Sequence, residues 1–436
     1  MKKIRDILSL AATALLPTML LLAAPWWLAL ALALCVAGWM ALTRTGRQAA
    51  SVTRVAISTL AQRAGSSLVV VVGIAGVVGV LVALLAMAAG FEATLRQTGT
   101  DDTAIVLRAG AQTETNSTLD RDATQVIAQA PQVLTAAGGQ PIASPELVVV
   151  ASLPKRSNGL DANVQLRGVG ERAWDLHDRF RITAGRRFQP GMRELIVGKG
   201  ALAQFAGLEV GAMLKLNGQP WTVVGTFETG DSHDSEIWGD TPVVAATYRR
   251  EGSVNSITVR LQNAIAFDTF KAALAGDPRL RVDAFTTRDY FNRQSESISR
   301  QIRILGTAVA AIMALGAVFG ALNTMHAAVS TRAREIATLR ALGFRGTPVI
   351  VSVLLETMVL ALLGGAIGAA IAWSVFDNYS ASTLGQNFSQ VVFSFHVSPQ
   401  LLWSGLTWAL AIGFVGGVFP AWRAARMPIT SGLREQ

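Results

Sequence analysis

The sequence predicts an α-helical membrane protein with an α+β domain inserted between its membrane helices, outside the membrane. The chain is 51% hydrophobic and only 15% charged, which suits a membrane protein with a sizeable soluble part. Residues 91–300 are balanced, with 23 basic and 24 acidic residues, whereas the rest of the chain has 15 basic and 5 acidic residues. This basic excess flanks the apolar segments, so it indicates membrane topology and not a nucleic-acid partner.

Residues 1–47 are predicted to form an N-terminal transmembrane hairpin. Two apolar runs, residues 7–24 and 26–42, are separated by Pro25 and follow a short basic segment. Each run has about 17 residues, the short limit for crossing a bilayer of about 30 Å. A signal peptide is the alternative for the first run. The hairpin is favoured because the second run follows at once and no clear cleavage site is visible.

Residues 48–90 are predicted to contain an interfacial helix and the first core membrane helix. Residues 48–64 place apolar side chains on one helical face: Val52, Val55, Ala56 and Leu60. Such a pattern is typical of a helix lying in the membrane interface. The apolar run 66–89 then ends at Gly90. Its stripe of small residues, Gly73, Gly76 and Gly79, favours close contact with another helix.

Residues 91–300 are predicted to form an α+β domain. Strands are indicated at residues 104–107, 147–151, 163–167, 194–197, 221–227 and 256–261. Helices are indicated at residues 120–129, 199–205 and 265–275. Residues 287–303 are polar but run without a breaker into the next apolar segment. They are therefore predicted to form a stalk helix continuous with that segment.

Residues 301–436 are predicted to hold three further core spans, at 304–329, 349–376 and 401–419. Between the first two lies a basic segment, 331–343, predicted to be a short helix outside the bilayer, with Ile336, Leu339 and Leu342 on one face. Gly343 is placed to end this helix, and Pro348 to begin the next. Residues 377–400 contain no Lys or Arg. With six spans, all the basic clusters lie on one side of the membrane, which is the cytoplasmic side by the positive-inside rule. The sequence therefore predicts six spans, cytoplasmic termini and the large domain outside.

The sequence contains no phosphate-binding motif of an ATPase. The pattern GxxxxGK[ST] is not found, because the one Gly-Lys pair, Gly198-Lys199, is followed by a glycine. We therefore expect a non-catalytic chain and ATP binding elsewhere. No Gly-x-Ser-x-Gly elbow, HExxH motif or pair of intramembrane aspartates indicates a hydrolase. Cys35 is the single cysteine, so no disulfide can form within one chain.

Three polar features leave two interpretations open. The segment from Asp231 to Glu236 is consistent with a cation site, but a solvated loop is favoured. Arg186 and Arg187 are consistent with an anion site, but a solvated turn is favoured. Glu356 is the only acid inside a core span, and it either bonds to a neighbouring helix or takes part in a conformational cycle. The four histidines lack metal-ligand spacing, so we expect no metal site.

Several spaced motifs resemble the signature of MacB/FtsX-type ABC transporter permeases. They are Arg334-Glu335-Ile336, Leu339-Arg340-Ala341-Leu342-Gly343, Leu355-Glu356, Gly364-Gly365 with Gly368, and Phe419-Pro420-Ala421-Trp422-Arg423-Ala424-Ala425-Arg426. The glycine-punctuated segments between residues 185 and 225 also resemble the periplasmic domain of MacB-type permeases. The resemblance extends from about residue 49 to the end of the sequence.

The resemblance implies roles for particular residues. In that family the short basic helix is a coupling helix, which docks on an ATP-hydrolysing subunit. The residues assigned to this coupling are Arg334, Glu335, Ile336, Leu339, Arg340, Leu342 and Gly343. Helix packing is assigned to Gly364, Gly365, Gly368, Gly413 and Gly417. Structural or conformational roles are assigned to Glu356, Pro420 and Arg423. The outside domain is expected to have an inserted lobe at about residues 168–248.

The resemblance also implies a function. We expect a homodimeric permease of the bacterial inner membrane, with its large domain in the periplasm and a separate ABC ATPase subunit that binds ATP and Mg. The chain itself is expected to bind no cofactor. ATP-driven mechanotransmission would export a drug, peptide or lipid-linked substrate from the periplasmic side. Transmembrane signalling to a periplasmic partner and lipoprotein extraction are the alternatives. Membrane lipid, a periplasmic membrane-fusion adaptor and an outer-membrane duct complete the expected partners.

Overall fold

The computed structural model describes residues 17–58, 60, 62, 64–385, 387 and 389–428. The chain divides into two compact units. The helical unit comprises Met1–Met87, Ile302–Asn378 and His396–Gln436, and the sheet unit comprises Ala88–Gln301 and Tyr379–Phe395.

Eleven α-helices are assigned within these described residues, beyond a helical stretch at residues 17–23. In chain order they are α1 (Trp26–Leu42), α2 (Arg44–Ser58), α3 (Ala64–Arg96), α4 (Arg121–Ala128), α5 (Lys199–Gln204), α6 (Thr241–Tyr248), α7 (Ala266–Gly276), α8 (Thr287–Thr331), α9 (Ala333–Ala341), α10 (Gly346–Phe376) and α11 (Pro399–Arg426).

Four of these helices, α3, α8, α10 and α11, are long and apolar enough to cross a membrane. They are the four predicted core spans, and the predicted stalk is confirmed because α8 is a single helix of 45 residues. Most of the first hairpin run, residues 7–24, lies outside the described residues. Helix α1 has 17 residues and qualifies as a span only together with α2, from which it is bent by 104°. The described residues therefore give four spans, or up to five, against the six predicted.

The first core helix does not end at Gly90, as the sequence predicted, but continues to Arg96. Gly90 is needed for close backbone packing and not for ending the helix. A side chain at Gly90 would overlap the backbone carbonyl of Ser394, so glycine permits a close approach of two backbones within the sheet unit. The helix continues because no breaker follows Gly90 before Gly99.

The interfacial segment also differs from its predicted pattern. The predicted apolar face included Val55, but its side chain is 58% exposed. The buried residues of α2 are small instead: Gly46, Ala49, Thr53 and Ala56. Small side chains let α2 pack closely against α10, so steric fit and not hydrophobicity selects the buried face.

Glycines allow the membrane helices of the helical unit to pack closely. On α10, a Cβ atom at Gly364 would lie 2.8 Å from the carbonyl oxygen of Val71, and one at Gly368 would overlap the backbone of Ala75. The other predicted packing glycines also lie at helix contacts: Gly365 on Ala409, Gly413 on Ala361 and Gly417 on Thr357. By contrast, nothing lies within 4 Å of a Cβ at Gly73 or Gly76, so two members of the stripe predicted on α3 face no other part of the described chain.

The sheet unit is built on a mixed ten-stranded sheet. The fourteen strands assigned within the described residues are β1 (Thr103–Arg108), β2 (Leu119–Asp120), β3 (Ala143–Pro154), β4 (Asp161–Val169), β5 (Arg181–Gly185), β6 (Glu194–Gly198), β7 (Met213–Leu216), β8 (Gln219–Glu228), β9 (Glu236–Asp240), β10 (Ser253–Val254), β11 (Ser256–Arg260), β12 (Val282–Thr286), β13 (Ser380–Leu384) and β14 (Gln390–Ser394). The large sheet has the order β12-β1-β11-β3-β4-β9-β6-β8-β5, with β7 paired to β8.

All six predicted strands and all three predicted helices of this domain are present, with shifted ends. The sheet has two halves, each with its own core. The first sheet half, β12-β1-β11-β3, packs Val106, Ile257 and Phe270 together with α4 and α7. The second sheet half, β4-β9-β6-β8-β5 with β7, buries Trp221 and Phe205, and its core also includes Leu147 from β3. The α+β prediction is confirmed, and the two halves meet within β3, where residues 143–146 pair with β11 and residues 147–154 pair with β4.

We expect Gly368→Leu to destabilise the helical unit, because the new side chain would overlap the backbone of α3. Overpacking of this kind costs roughly 1–3 kcal/mol, and more where backbone must move. Gly73→Leu is the matched control, since a Cβ at Gly73 meets nothing within 4 Å. The measurement is the midpoint of thermal unfolding of the purified protein. Equal midpoints for the two variants would contradict the packing described above.

Candidate functional site

The candidate coupling site is the short helix α9, which joins the membrane helices α8 and α10. Helix α9 ends at Ala341, two residues before the predicted terminator Gly343, whose φ angle of +95° is one that side-chain-bearing residues rarely adopt. The amides of Gly343 and Phe344 donate to the carbonyls of Arg340 and Leu339, which closes the helix end. Helix α10 begins only three residues later, so the two helices are joined by a short, sharp turn.

The exposed side of α9 carries charge. Arg334 and Glu335 are exposed, whereas Ile336 is buried within the helical unit. The predicted stripe of Ile336, Leu339 and Leu342 does not remain on one face, because the helix ends at Ala341. Leu342 lies beyond that end and is 73% exposed. The site therefore offers two charged side chains and one apolar side chain to a partner.

An ion pair ties this segment to the membrane helix that follows. Arg332 Nη1 lies 3.1 Å from Glu356 Oε2, and Glu356 is buried on α10. Arg332 Nη2 also donates to the carbonyl oxygen of Ala56 on α2, at 3.0 Å. One guanidinium thus links α2, α9 and α10. Arg332 was not among the assigned coupling residues, and its position just before the predicted motif was the only signal of its role.

The remaining assigned residues lie on or near the C-terminal helix. Arg340 donates to the backbone carbonyl of Met427, just after α11, so it has a partner within the chain. Pro420 is buried inside α11 without ending that helix, and Arg423 is exposed in its last turn. The structure therefore brings Arg340 to the end of α11, but it gives Arg423 no part in this contact.

A groove runs beside α9. Its volume is about 660 Å³, and its lining combines apolar residues, such as Met325 and Val353, with the polar groups of Arg332, Glu335 and Glu356. Val55 and Val52 of α2 form part of its wall. The exposure of Val55 is explained by this position.

A second polar site, in the sheet unit, is a fully buried charge cluster. Arg167 on β4 donates hydrogen bonds to three carboxylates, those of Glu114, Glu146 and Glu236, at distances of 2.6 to 3.0 Å. These residues come from the loop before β2 and from β3, β4 and β9. Burial raises the pKa of these carboxyl groups, and the positive charge of Arg167 lowers it. The pKa of Glu114 is lowered because Arg167 outweighs its burial, whereas burial dominates and raises the pKa of Glu146.

Two histidines extend this cluster. The rings of His177 and His233 lie 4.7 Å apart, although 56 positions separate the residues in sequence. Burial alone would lower the pKa of His233, but the charges of Asp231 and Glu236 raise it to about 9. Burial, followed by the neighbouring charge of His233, lowers the pKa of His177 to about 3. At neutral pH His233 is therefore charged and His177 is neutral.

These contacts correct one favoured interpretation. The segment from Asp231 to Glu236 is not a solvated loop, because Ser232, His233, Ser235 and Glu236 are buried and Asp231 caps their 3-10 turn. Arg186 and Arg187 are exposed, as expected of a solvated turn, and both side chains also have partners within the chain. Arg186 makes a two-pronged ion pair with Glu194, and Arg187 stacks on Trp174 at 4.9 Å. Within the described residues, no three His, Cys, Asp or Glu side chains converge in a metal-binding arrangement.

Two family models match the chain. The MacB-like periplasmic core domain matches residues 67–276, and the FtsX-like permease C-terminal domain matches residues 307–429. The charge cluster lies in the first match and the coupling site in the second. The chain therefore belongs to the MacB/FtsX-type ABC transporter permeases, and it is a membrane protein with an extracytoplasmic domain.

Curated relatives agree with this family. The chain is 26% identical over 318 residues to the macrolide export ATP-binding/permease protein MacB 1 of Aeromonas hydrophila, covering 67% of this chain and 46% of that protein. It is 25% identical over 340 residues to the MacB protein of Burkholderia pseudomallei, covering 71% of this chain and 50% of that protein. The chain thus spans about half the length of these relatives.

Solved structures similar to part of the chain include the periplasmic region of MacB from Actinobacillus actinomycetemcomitans. It shares 15% identity, with a TM-score of 0.34, and the match covers 48% of this chain and 95% of that one. The extracellular domain of the ABC-type transporter YknZ from Gram-positive bacteria shares 16% identity, with a TM-score of 0.33. That match covers 42% of this chain and 100% of the other.

We expect Arg332→Gln and Glu356→Gln each to lower the stability of the helical unit, because each leaves the other charge without its ion partner. Breaking a buried pair costs about 3–5 kcal/mol, and about 2 kcal/mol is expected here because the remaining group keeps other polar contacts. The loss of stability in the double variant should be smaller than the sum of the losses in the two single variants. Thermal unfolding is the measurement, with exposed Glu335→Gln as control. Additive losses in the double variant would contradict the pairing.

The stability of the sheet unit should depend on pH through His233. The pKa of His233 is raised from 6.5 to about 9 in the folded protein, so its protonation stabilises the fold fully below pH 6.5. This contribution is lost as the pH rises towards 9. The unfolding midpoint of the wild type should therefore fall across this range, and His233→Gln should flatten the fall. His396→Gln, at an exposed position, is the control. An identical pH dependence in wild type and His233→Gln would contradict the assignment.

Proposed function

We propose that this chain is the force-transmitting permease of an ABC transporter that exports a drug, peptide or lipid-linked substrate from the periplasmic side. A separate ATPase subunit would bind ATP and Mg, and this chain would be non-catalytic. The proposal places the protein in a bacterial inner membrane. The observation that carries it is the Arg332 link, which joins the extramembrane helix α9 to α10 and α2.

The geometry of α9 supports docking on an ATPase. A coupling element has to present groups to its partner and be held firmly by the membrane helices. Arg334, Glu335 and Leu342 are exposed, while Ile336 and the Arg332–Glu356 pair hold the segment from behind. A displacement of the exposed side is thereby passed to α10 through an ion pair, a buried side chain and a short turn.

The burial of the spans supports a homodimer. Within one chain, 44% of the apolar window of α3, α10 and α11 is buried, compared with 17% for α8. Helix α8 also carries large exposed apolar side chains, such as Ile312, Leu315 and Phe319. An apolar helix that packs little within its own chain is available to a second copy, and lipid covers what the second copy leaves free.

The names of the relatives favour export over the alternatives. The matched MacB proteins are named as macrolide exporters, which supports a transport role for this chain. Signalling to a periplasmic partner and lipoprotein extraction would use the same force transmission. A membrane-fusion adaptor and an outer-membrane duct are the further partners proposed for export.

The coupling proposal is tested at the exposed residues of α9. We expect Glu335→Arg and Leu342→Asp to weaken association with the ATPase subunit, since charge reversal or burial of a new charge at an interface typically costs about 2–5 kcal/mol. Membrane insertion and thermal stability should not change, because both side chains are exposed. The measurements are copurification of the ABC ATPase from the native host, and ATP turnover of the complex in lipid nanodiscs.

Lys271→Asp is the control, because it changes an equally exposed charge in the sheet unit. It should leave both copurification and ATP turnover unchanged. Normal association and normal turnover in both α9 variants would mean that this basic segment serves only as a topology signal.

A further inference from the structure

The hairpin formed by β13 and β14 connects membrane helices α10 and α11. Its strands pair in antiparallel register from Ser380–Ser394 to Leu384–Gln390. Helix α10 ends at Phe376 and α11 begins at Pro399, so only a few residues separate each helix from the hairpin. Although the hairpin follows a membrane helix in sequence, it belongs to the sheet unit.

Side-chain hydrogen bonds hold the hairpin against the second sheet half. Gln204, at the end of α5, donates through Nε2 to Ser382 Oγ at 2.6 Å. The backbone amide of Val392 donates to the hydroxyl of Ser235 at 2.8 Å, and Ser235 is buried. Both hairpin strands therefore make directed bonds to the same sheet half.

A further bond connects the hairpin to the charge cluster. Gln165 Oε1 accepts hydrogen bonds from Ser389 Oγ at 3.2 Å and from Asn387 Nδ2 at 3.3 Å. Its own Nε2 donates to Glu236 at 2.7 Å, and Glu236 is paired with Arg167. A chain of buried polar bonds thus runs from the hairpin tip to the junction of the two sheet halves.

The other end of the hairpin contacts the part of α3 that belongs to the sheet unit. The rings of Phe393 and Phe91 meet edge to face, with centroids 5.6 Å apart. Gly90 lets the backbone of Ser394 approach the helix more closely than any side chain would allow. The hairpin is therefore fixed at its tip, along both strands and at its base.

We propose that this hairpin is a permanent strut, which carries the movement of α10 and α11 to the second sheet half. Gln165, Gln204 and Ser235 are the positioning residues that hold it. The inference rests on the proposed force-transmitting function, and it adds a path that does not run through α3 and α8. Directed hydrogen bonds and a close backbone contact resist displacement of the hairpin, whereas a mobile loop would not transmit movement between the elements that it connects.

A disulfide tests whether the contact is permanent. A Cβ atom on Gly200 would lie 3.2 Å from the Cβ of Val392, slightly less than the roughly 3.5–4.5 Å found in disulfides, and 3.0 Å from the carbonyl oxygen of Asp234. A small shift of Gly200 away from both atoms therefore lets Gly200→Cys and Val392→Cys bridge the two elements. Cys35 is the single native cysteine, and Cys35→Ser provides a clean parent. The full chain is reconstituted with its ATPase in nanodiscs and oxidised without nucleotide, or with ATP and vanadate.

We expect high cross-linking yield in both states, and ATP turnover within about twofold of the reduced protein, because locking a permanent contact adds little strain. No cross-link in either state, a yield that falls when ATP is bound, or loss of turnover on oxidation would each overturn the strut. If the parent does not bind an ATPase, the proposed function fails instead, and the cross-linking yield alone still reports whether the hairpin is docked.

Breaking the strut is the complementary test. The quadruple change Ser382→Ala, Asn387→Ala, Ser389→Ala and Gln390→Ala removes the side-chain bonds to Gln204 and Gln165. Ser380→Ala is the matched control, since its hydroxyl bonds only Ser394 within the hairpin. A fluorophore on Met213→Cys, which is 79% exposed on β7, reports its distance to acceptor-labelled lipid headgroups.

In the parent and in Ser380→Ala, ATP should change the energy transfer from this fluorophore. In the quadruple variant we expect the ATP-dependent change to fall at least about twofold, while ATP turnover and the ATP-free signal stay near the parental values, because only side-chain bonds are lost and the bond of the Val392 amide to Ser235 remains. An undiminished ATP-dependent change would show that the stalk helices carry the movement alone, and it would overturn the proposal.

Discussion

Each membrane span must pair its backbone amides within itself, because the hydrocarbon core offers no water to replace a missing partner. This constraint makes α3, α8, α10 and α11 helical, and nothing in the sequence ends two of them at the membrane boundary. Helix α8 runs for 45 residues from a polar start at Thr287, and α3 continues past Gly90 to Arg96. The stalks are thus extensions of the spans, and they have the stiffness of a continuous hydrogen-bonded helix.

Stiffness along one helix is of use only if neighbouring helices move with it. Gly364 and Gly368 bring the backbones of α10 and α3 so close that sliding would require overlap. The Arg332–Glu356 pair acts differently, because it fixes an element that lies outside the packed helices. Close packing and one ion pair therefore provide complementary constraints on the helical unit, one steric and one electrostatic.

Sequence patterns located the elements whose signals are local. Apolar length identified the four spans, short β-type runs identified six strands, and Gly343 marked the end of α9 to within two residues. Contacts between distant residues had no such signal. Glu356 was recognised as unusual, but its partner Arg332 lies 24 positions away. The acids around Arg167 come from three separate elements, and His177 and His233 looked unrelated. The hairpin β13–β14 is rich in serine, and its bonds depend on residues 150 or more positions earlier.

The buried cluster around Arg167 is better explained by geometry than by stability. A buried ion group gains little net free energy over apolar side chains of the same size, because desolvation offsets the attraction. Its hydrogen bonds, however, have defined directions, and here they join β3, β4, β9 and the loop before β2 around one guanidinium. Apolar contacts at the junction of the two sheet halves would permit a range of angles. A guanidinium shared by three carboxylates restricts the angle, and Gln165 extends that restriction to the hairpin. The proposed force transmission would require such a fixed joint, because any loosening there would absorb the displacement.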